Sequence, residues 1–277
     1  MKPTTQVVGA LQWDVRRGEI DHNLATAERL LRSAAAQGAR LLVLPELWPT
    51  SFMPELDQQQ TAHSAQAVER LRALSEELNL VVVGSAVECT PAGRFNRAQV
   101  FDRGREVLTY RKIHLFSPTG EHRFFHPGDA LGVVATSAGR IGVLICYDLR
   151  FPELTRLLFH HQVQILVVPA QWPSSRALHW NALLQARAIE NQCFVIGANR
   201  CGLEAPIRGG QPLEFPGNSQ VINPAGEVMV TGDACECPVL AEINLRQIAT
   251  LHRLLPLRRD TRGDTYSRLW GGGPFQR

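Results

Sequence analysis

The feature that most constrains this chain is the passage Ile141-Gly142-Val143-Leu144-Ile145-Cys146-Tyr147-Asp148-Leu149-Arg150-Phe151-Pro152-Glu153. It begins as a continuous apolar run, the pattern of a strand buried on both faces. It then breaks into a polar cluster, and Pro152 stands where a helix takes its first-turn proline. Cys146 falls at the joint between the expected strand and the expected helix. Backbone N–H groups and a helix N-terminus at such a joint favour the thiolate over the thiol. Taken alone, a cysteine after an apolar run is more often a buried structural residue. Its company elsewhere in the chain decides between the two.

Strand and helix patterns interleave on both sides of this passage. Gln6–Trp13 reads as a first strand, and Asp21 as the N-cap of a helix carrying Leu24, Ala27, Leu30, Leu31 and Ala34 on one face, stopped by Gly38. Leu41–Leu44 is a short buried strand ended by Pro45, with Glu46 directly beyond it. A second helix runs from Thr61 to Leu78, then strands at Leu80–Val87, Phe95–Phe101 and Val107–Tyr110, with a turn at Pro91-Ala92-Gly93. Arg111–Gly128 is polar, aromatic and without a period, and a long irregular stretch of that kind is more often functional than filler. After the Cys146 strand come a helix from Phe151 to about Gln162, a strand at Ile165–Pro169, a helix at Arg176–Asn191 and a strand at Cys193–Ala198. Arg200–Pro216 reads as a Gly/Pro-rich loop, followed by strands at Gln220–Asn223, Glu227–Val230 and Val239–Ile243, and by a short helix to Leu254. The pattern argues one α/β domain over residues 1–257, with a polar, Gly-rich tail at 258–277.

Composition narrows the function classes. A hydrophobic content of 44% and a charged content of 20% suit a soluble globular protein. The net charge of +3 comes without a dense Lys/Arg block, which argues against nucleic acid as a partner. Arg16-Arg17 and Arg258-Arg259 are expected on the solvated surface. No apolar run has the length of a membrane span and no signal-peptide core follows Met1, so the chain reads as cytoplasmic, away from membranes, with its six cysteines reduced. Cys235-Glu236-Cys237 is a lone CxC and carries no metal pattern.

Glu46, Cys146, Lys112 and Glu121 all lie just beyond buried strands or in the irregular loop. Ligands of open α/β sheets gather at the carboxyl ends of strands, so these residues can meet although far apart in sequence. A base, a cation and a thiol together suit acyl transfer. Each has a bland alternative: a helix-start carboxylate for Glu46, a surface charge for Lys112, a solvated loop residue for Glu121. Trp172, in a strand's exit loop, suits core or pocket lining equally. Arg150 is expected to pair with Asp148 or Glu153 rather than to bind a substrate carboxylate. His114, His122 and His126 make no HExxH or other metal pattern, and Gly217-Asn218-Ser219-Gln220 is not a nucleophile elbow.

Leu44-Pro45-Glu46, Tyr110-Arg111-Lys112-Ile113-His114-Leu115-Phe116 and Cys146-Tyr147-Asp148-Leu149-Arg150-Phe151-Pro152-Glu153, in that order, resemble the nitrilase superfamily of carbon–nitrogen hydrolases. Pro169-Ala170-Gln171-Trp172-Pro173, Gln185–Gln192 and Asn223-Pro224-Ala225-Gly226-Glu227 extend the resemblance from about Gln6 to Ile243. Within it the chain is most similar to ω-amidases, which act on small 2-oxo acid amides such as 2-oxoglutaramate. The resemblance implies a four-layer αββα sandwich. It maps the general base onto Glu46, the cation onto Lys112, the nucleophile onto Cys146 and a second glutamate onto Glu121. Tyr147, through its backbone N–H, and Trp172 are expected at the substrate. No metal or organic cofactor is implied, and a homodimer paired through the helix after Cys146 is. Other branches remain open, namely a deaminated-glutathione amidase, an N-carbamoyl amide hydrolase or a nitrilase, as does a non-catalytic binding protein that keeps the fold.

Overall fold

The computed structural model describes residues 5–53, 55–205 and 211–270. In chain order its elements are β1 (Thr5–Gln12), α1 (Ile20–Ala36), β2 (Ala39–Val43), α2 (Gln58–Glu77), β3 (Val81–Thr90), β4 (Gly93–Asp102), β5 (Arg105–Arg111), β6 (Gly132–Thr136) and β7 (Gly139–Val143). There follow α3 (Pro152–His160), β8 (Ile165–Ala170), α4 (Ala177–Asn191), β9 (Phe194–Asn199), β10 (Cys201–Glu204), β11 (Leu213–Pro216), β12 (Gln220–Ile222), β13 (Val228–Thr231) and β14 (Cys237–Asn244). Helices α5 (Arg246–Leu254), α6 (Leu257–Asp260) and α7 (Gly263–Trp270) close the described chain.

Two six-stranded sheets run in the orders β14-β1-β2-β3-β4-β5 and β13-β12-β9-β8-β7-β6. In each, three consecutive strands are parallel, β1-β2-β3 and β7-β8-β9. Parallel neighbours need a long crossover, and α1, α2, α3 and α4 supply the four. Side-chain alternation then sorts the layers. Leu41, Val43, Val81 and Val83 point into a core shared with Ile141, Val143, Ile165 and Val167 of the second sheet. Leu42 and Val82 point the other way, under Leu30 and Leu31 of α1 and Leu71 and Leu74 of α2. Leu154, Leu158, Trp180 and Leu184 cover the second sheet with α3 and α4. The chain is the four-layer αββα sandwich that its sequence suggests. Among the described residues no helix is long and apolar enough to cross a membrane.

Several local expectations change. Asp21 is not the N-cap: α1 starts at Ile20 after Glu19, and Asp21 sits in its first turn with its carboxylate 2.8 Å from His63. The 200–216 segment is not a plain loop, because β10 and β11 pair antiparallel across it; residues 206–210 lie outside the described residues. The C-terminal segment is helical through α6 and α7, and the expected tail beyond residue 270 lies outside the described residues. Two arginines expected in solvent are engaged. Arg17 pairs with Glu204, and the Arg258 guanidinium lies 4.7 Å over the Phe159 ring. A long aliphatic stem lets a charged side chain cover apolar surface in this way, which composition does not reveal.

Candidate active site

Three strand ends and one loop converge on the floor of a single cavity. Beyond β2 the chain turns to present Glu46, whose N–H donates to Ala170 O at the end of β8 (3.3 Å). Beyond β5 comes Lys112, held by its own N–H to Asn96 O (2.9 Å) and by Gly128 N–H to its carbonyl (2.8 Å). Beyond β7, Cys146 opens a 3₁₀ turn, Cys146–Arg150. Leu47, next to Glu46, has φ +47° and Cys146 has φ +44°. Non-glycine residues in the left-handed region cost on the order of 1 kcal/mol each and gather at functional sites. Asp148, wholly buried, anchors the turn. It accepts from Ile145 N–H (3.0 Å), Tyr110 O–H (2.7 Å) and His114 N–H (2.8 Å). The turn that carries the thiol is thereby tied to residues on both sides of Lys112.

The charged groups are in direct contact. Lys112 Nζ donates to Glu46 Oε1 (2.7 Å) and to both Glu121 oxygens (3.0 and 2.9 Å). Glu121 comes from the 3₁₀ turn Glu121–Arg123 in the irregular loop, and Phe116 N–H donates to its Oε2 (2.6 Å). Gln171 N–H donates to Glu46 Oε2 (3.2 Å), and Cys146 Sγ lies 3.8 Å from Gln171 O. Lys112 and Glu121 are 2% and 3% exposed. Burial pushes the Glu46 carboxyl up and the charge of Glu121 adds to it, while Lys112 and a hydrogen bond from the Cys146 thiol pull it down. Burial also works against the Lys112 ammonium, but Glu121 and Glu46 outweigh it and hold Lys112 protonated well above its usual range.

Cys146 corrects the sequence reading. Burial, and then the charge of Glu46, push its thiol well above the ordinary range, and Lys112 only partly offsets them. The first regular helix, α3, begins six residues later at Pro152, too far for its N-terminus to dominate. Both effects favour the thiol over the thiolate, and the Glu46 carboxyl lies beside it. All four residues mapped by sequence are together, and the bland alternatives for Glu46, Lys112 and Glu121 do not describe where they are.

The family model for Carbon-nitrogen hydrolase matches residues 7–253. The chain belongs to the carbon–nitrogen hydrolase family. A 2-oxoglutaramate amidase of Bacillus subtilis (strain 168) is 34% identical over 263 residues, spanning 94% of this chain and 98% of its own. An ω-amidase of Escherichia coli (strain K12) is 36% identical over 234 residues, spanning 84% and 87%. Among solved structures, a carbon–nitrogen hydrolase from Helicobacter pylori G27 superposes with a TM-score of 0.87 at 25% identity, covering 97% of this chain and 99% of its own. A variant of the amidase from Nesterenkonia sp. AN1 (27% identical, TM-score 0.79, 90% and 96% covered) carries the acetamide moiety of fluoroacetamide covalently on its active-site cysteine.

The hydrolase cavity holds about 470 Å³, with Glu46, Lys112 and Cys146 at its floor and Tyr147 and Trp172 in its wall. Trp172 is core and lining at once: it is 3% exposed and donates from Nε1 to Arg176 O (2.8 Å). Arg150 does not make the expected ion pair. Asp148 is taken up by Ile145, Tyr110 and His114, so Arg150 lies 4.6 Å over the Trp172 ring, donates to His179 Nδ1 (3.2 Å) and faces the cavity. Arg176 lines it too, 5.5 Å over Phe116. Neither guanidinium has a carboxylate partner among the described residues. No histidine lines the cavity among those residues, which leaves a cysteine–histidine pair without its base.

Sequence reasoning assigned no role to Asn96 or Gln171. Asn96 had a readable signal, a polar residue on the face of β4 that otherwise carries Ala98 and Val100 into the core. Gln171 had none, since much of its work is done by its backbone. Its side chain donates to Glu46 O (2.8 Å) and accepts from Ser51 Oγ (3.1 Å) and Arg200 Nη1 (3.4 Å). Arg200, fully buried, continues that network to Asp14 (2.7 Å) and to Glu204 in the cavity wall.

Proposed function

We propose that the chain is an ω-amidase-type hydrolase that releases ammonia from the primary amide of a small 2-oxo acid such as 2-oxoglutaramate. The observation that carries the reading is the Lys112 ammonium held between Glu46 and Glu121, in one cavity with the Cys146 thiol. Cys146 Sγ attacks the amide carbon as Glu46 takes the thiol proton. The oxygen that gains charge is met by Lys112 Nζ and the Tyr147 N–H, and one such donor is worth roughly a hundredfold or more in rate. Glu46 returns the proton to the departing nitrogen, so ammonia leaves and a thioester remains on Cys146. Water, deprotonated by Glu46, opens the thioester, and the sulfur recovers its proton as the acid is released. Glu121 keeps Lys112 charged and in place throughout. Arg150 and Arg176, without carboxylate partners among the described residues, supply the ion-pairing site for the substrate carboxylate.

The molecule acts in this reading as a cytoplasmic homodimer. Leu157 of α3 and Leu178 and Ile189 of α4 stand 48%, 78% and 54% exposed on the helical layer behind Cys146, and a second copy would cover them. The hydrolase domain is taken as residues 1–257. The test is ammonia release from 2-oxoglutaramate, 2-oxosuccinamate, glutamine, an N-carbamoyl amine and a simple nitrile, with Cys146→Ala in parallel. Preference for the oxo-acid amides, lost in the variant, is the expected result. Preference for another member moves the substrate, and activity that survives Cys146→Ala refutes the mechanism.

A further inference from the structure

Asn96 lies on β4 directly behind the catalytic cluster. It is fully buried and is not among the residues lining the cavity. Its Nδ2 donates to Glu46 Oε1 at 2.8 Å and reaches Glu121 Oε1 at 3.4 Å. Its backbone carbonyl accepts from Lys112 N–H at 2.9 Å. One residue therefore touches the base, the second glutamate and the lysine. Among the described residues its Oδ1 has no hydrogen-bond partner. Ionised carboxylates only accept hydrogen bonds, so the amide must turn its nitrogen toward them, and the oxygen is left over. A buried acceptor without a donor is unfavourable, and an apolar side chain of the same shape would avoid it. The asparagine is accounted for by its donor half alone.

We propose that Asn96 is a positioning residue for the hydrolytic reaction, its side-chain N–H groups bridging Glu46 and Glu121 so that Glu46 stays free to accept the Cys146 proton. The idea rests on the Glu46 and Cys146 roles given above. Two carboxylates around one lysine leave one negative charge in excess, and a neutral donor between them eases their repulsion without adding a titratable group. The charged or titratable groups that face Glu46 are Lys112 from beyond β5, Glu121 from its 3₁₀ turn and Cys146 from the turn after β7. Lys112 and the donors together oppose burial and the charge of Glu121. Without Asn96, Glu46 takes a proton at higher pH and is spent as a base.

The test compares wild type, Asn96→Ala and Asn96→Asp by kcat and KM for 2-oxoglutaramate from pH 5 to 9, and by the rate at which iodoacetamide alkylates Cys146 over the same range. The acid limb of kcat/KM should move up by about one pH unit in Asn96→Ala and further in Asn96→Asp, which adds a like charge. KM should stay within about twofold, because Asn96 does not line the cavity. The alkylation profile should shift by the same amount. It needs no substrate, so it still reads Asn96 if the assigned substrate proves wrong; a rate unaffected by Glu46→Gln would instead fault the parent mechanism. Asn96→Ser, which keeps a donor, serves if Asn96→Ala does not fold, and should show the smaller shift. A pH-independent loss, or an unmoved acid limb in folded variants, overturns the proposal.

Discussion

Lys112→Met is the sharpest perturbation the site offers. In the native protein three carboxylate oxygens lie 2.7–3.0 Å from Nζ, and all three residues are almost wholly buried. Removing the ammonium leaves Glu46 and Glu121 facing each other with Asn96 as the donor they share. Breaking a buried ion pair from one side costs about 3–5 kcal/mol, because the remaining charge is desolvated and uncompensated. The loss must depend on pH. A carboxyl whose folded pKa is raised adds stability in full below its unfolded pKa, and that stability is lost as pH rises through the folded value. Glu46 is already in that class through burial, and the attraction of Lys112 restrains it. Without Lys112 its folded pKa rises further, so the deficit is greatest at pH 8 and shrinks toward pH 5.5, by at most about 1.4 kcal/mol for each pH unit over which Glu46 binds its proton. Urea unfolding at both pH values measures it. With a slope near 3 kcal/mol/M, the midpoint should fall by about 1–1.7 M at pH 8 and by visibly less at pH 5.5. Equal losses at the two pH values, or a loss under about 1 kcal/mol, would refute the argument.

Cys146→Ala should keep its fold and lose about a thousandfold or more in ammonia release, measured by coupled assay. Glu46→Gln should slow alkylation of Cys146 by about a hundredfold while the exposed Cys89 keeps its rate, as mass spectrometry of the labelled peptides would show. Arg150→Met should raise KM for 2-oxoglutaramate about ten- to a hundredfold, the worth of one charge-assisted hydrogen bond, and leave a neutral amide such as propionamide unchanged. The acid product should inhibit weakly, with a Ki at least about tenfold above KM, because its new carboxylate forms against Glu46 and Glu121.

The alternation of Leu41, Leu42 and Val43 and the apolar run at Ile141–Ile145 made the two buried sheets legible, and strand ends marked where Glu46 and Cys146 would stand. Motif order carried Lys112 and Glu121, whose meeting depends on a loop with no period of its own. The upward push on the Cys146 thiol was not legible. It follows from burial and from a carboxylate a hundred residues earlier in the chain, and neither is a local property. Arg150 misled for a related reason. Sequence neighbours suggested its partners, but Asp148 faces inward to Ile145, Tyr110 and His114, and the arginine is left to the cavity. Backbone contacts such as Gln171 N–H to Glu46 leave no trace in residue identity at all.

The cavity is electrically polar from floor to wall, and that polarity orders the reaction. Its floor holds two carboxylates against one ammonium, while Arg150 and Arg176 stand in the lining without carboxylate partners among the described residues. A substrate with an acid at one end and an amide at the other is repelled from the floor by its acid and drawn to the arginines, which turns the neutral amide toward Cys146. A neutral resting thiol suits this arrangement better than a thiolate would. A thiolate would add a second excess negative charge in a buried site before any substrate arrived, whereas the thiol lets negative charge appear only as the carbonyl oxygen reaches Lys112. In the proposed mechanism, hydrolysis of the thioester then places a new carboxylate beside Glu46 and Glu121, and the repulsion that had set the direction of binding works to expel the product.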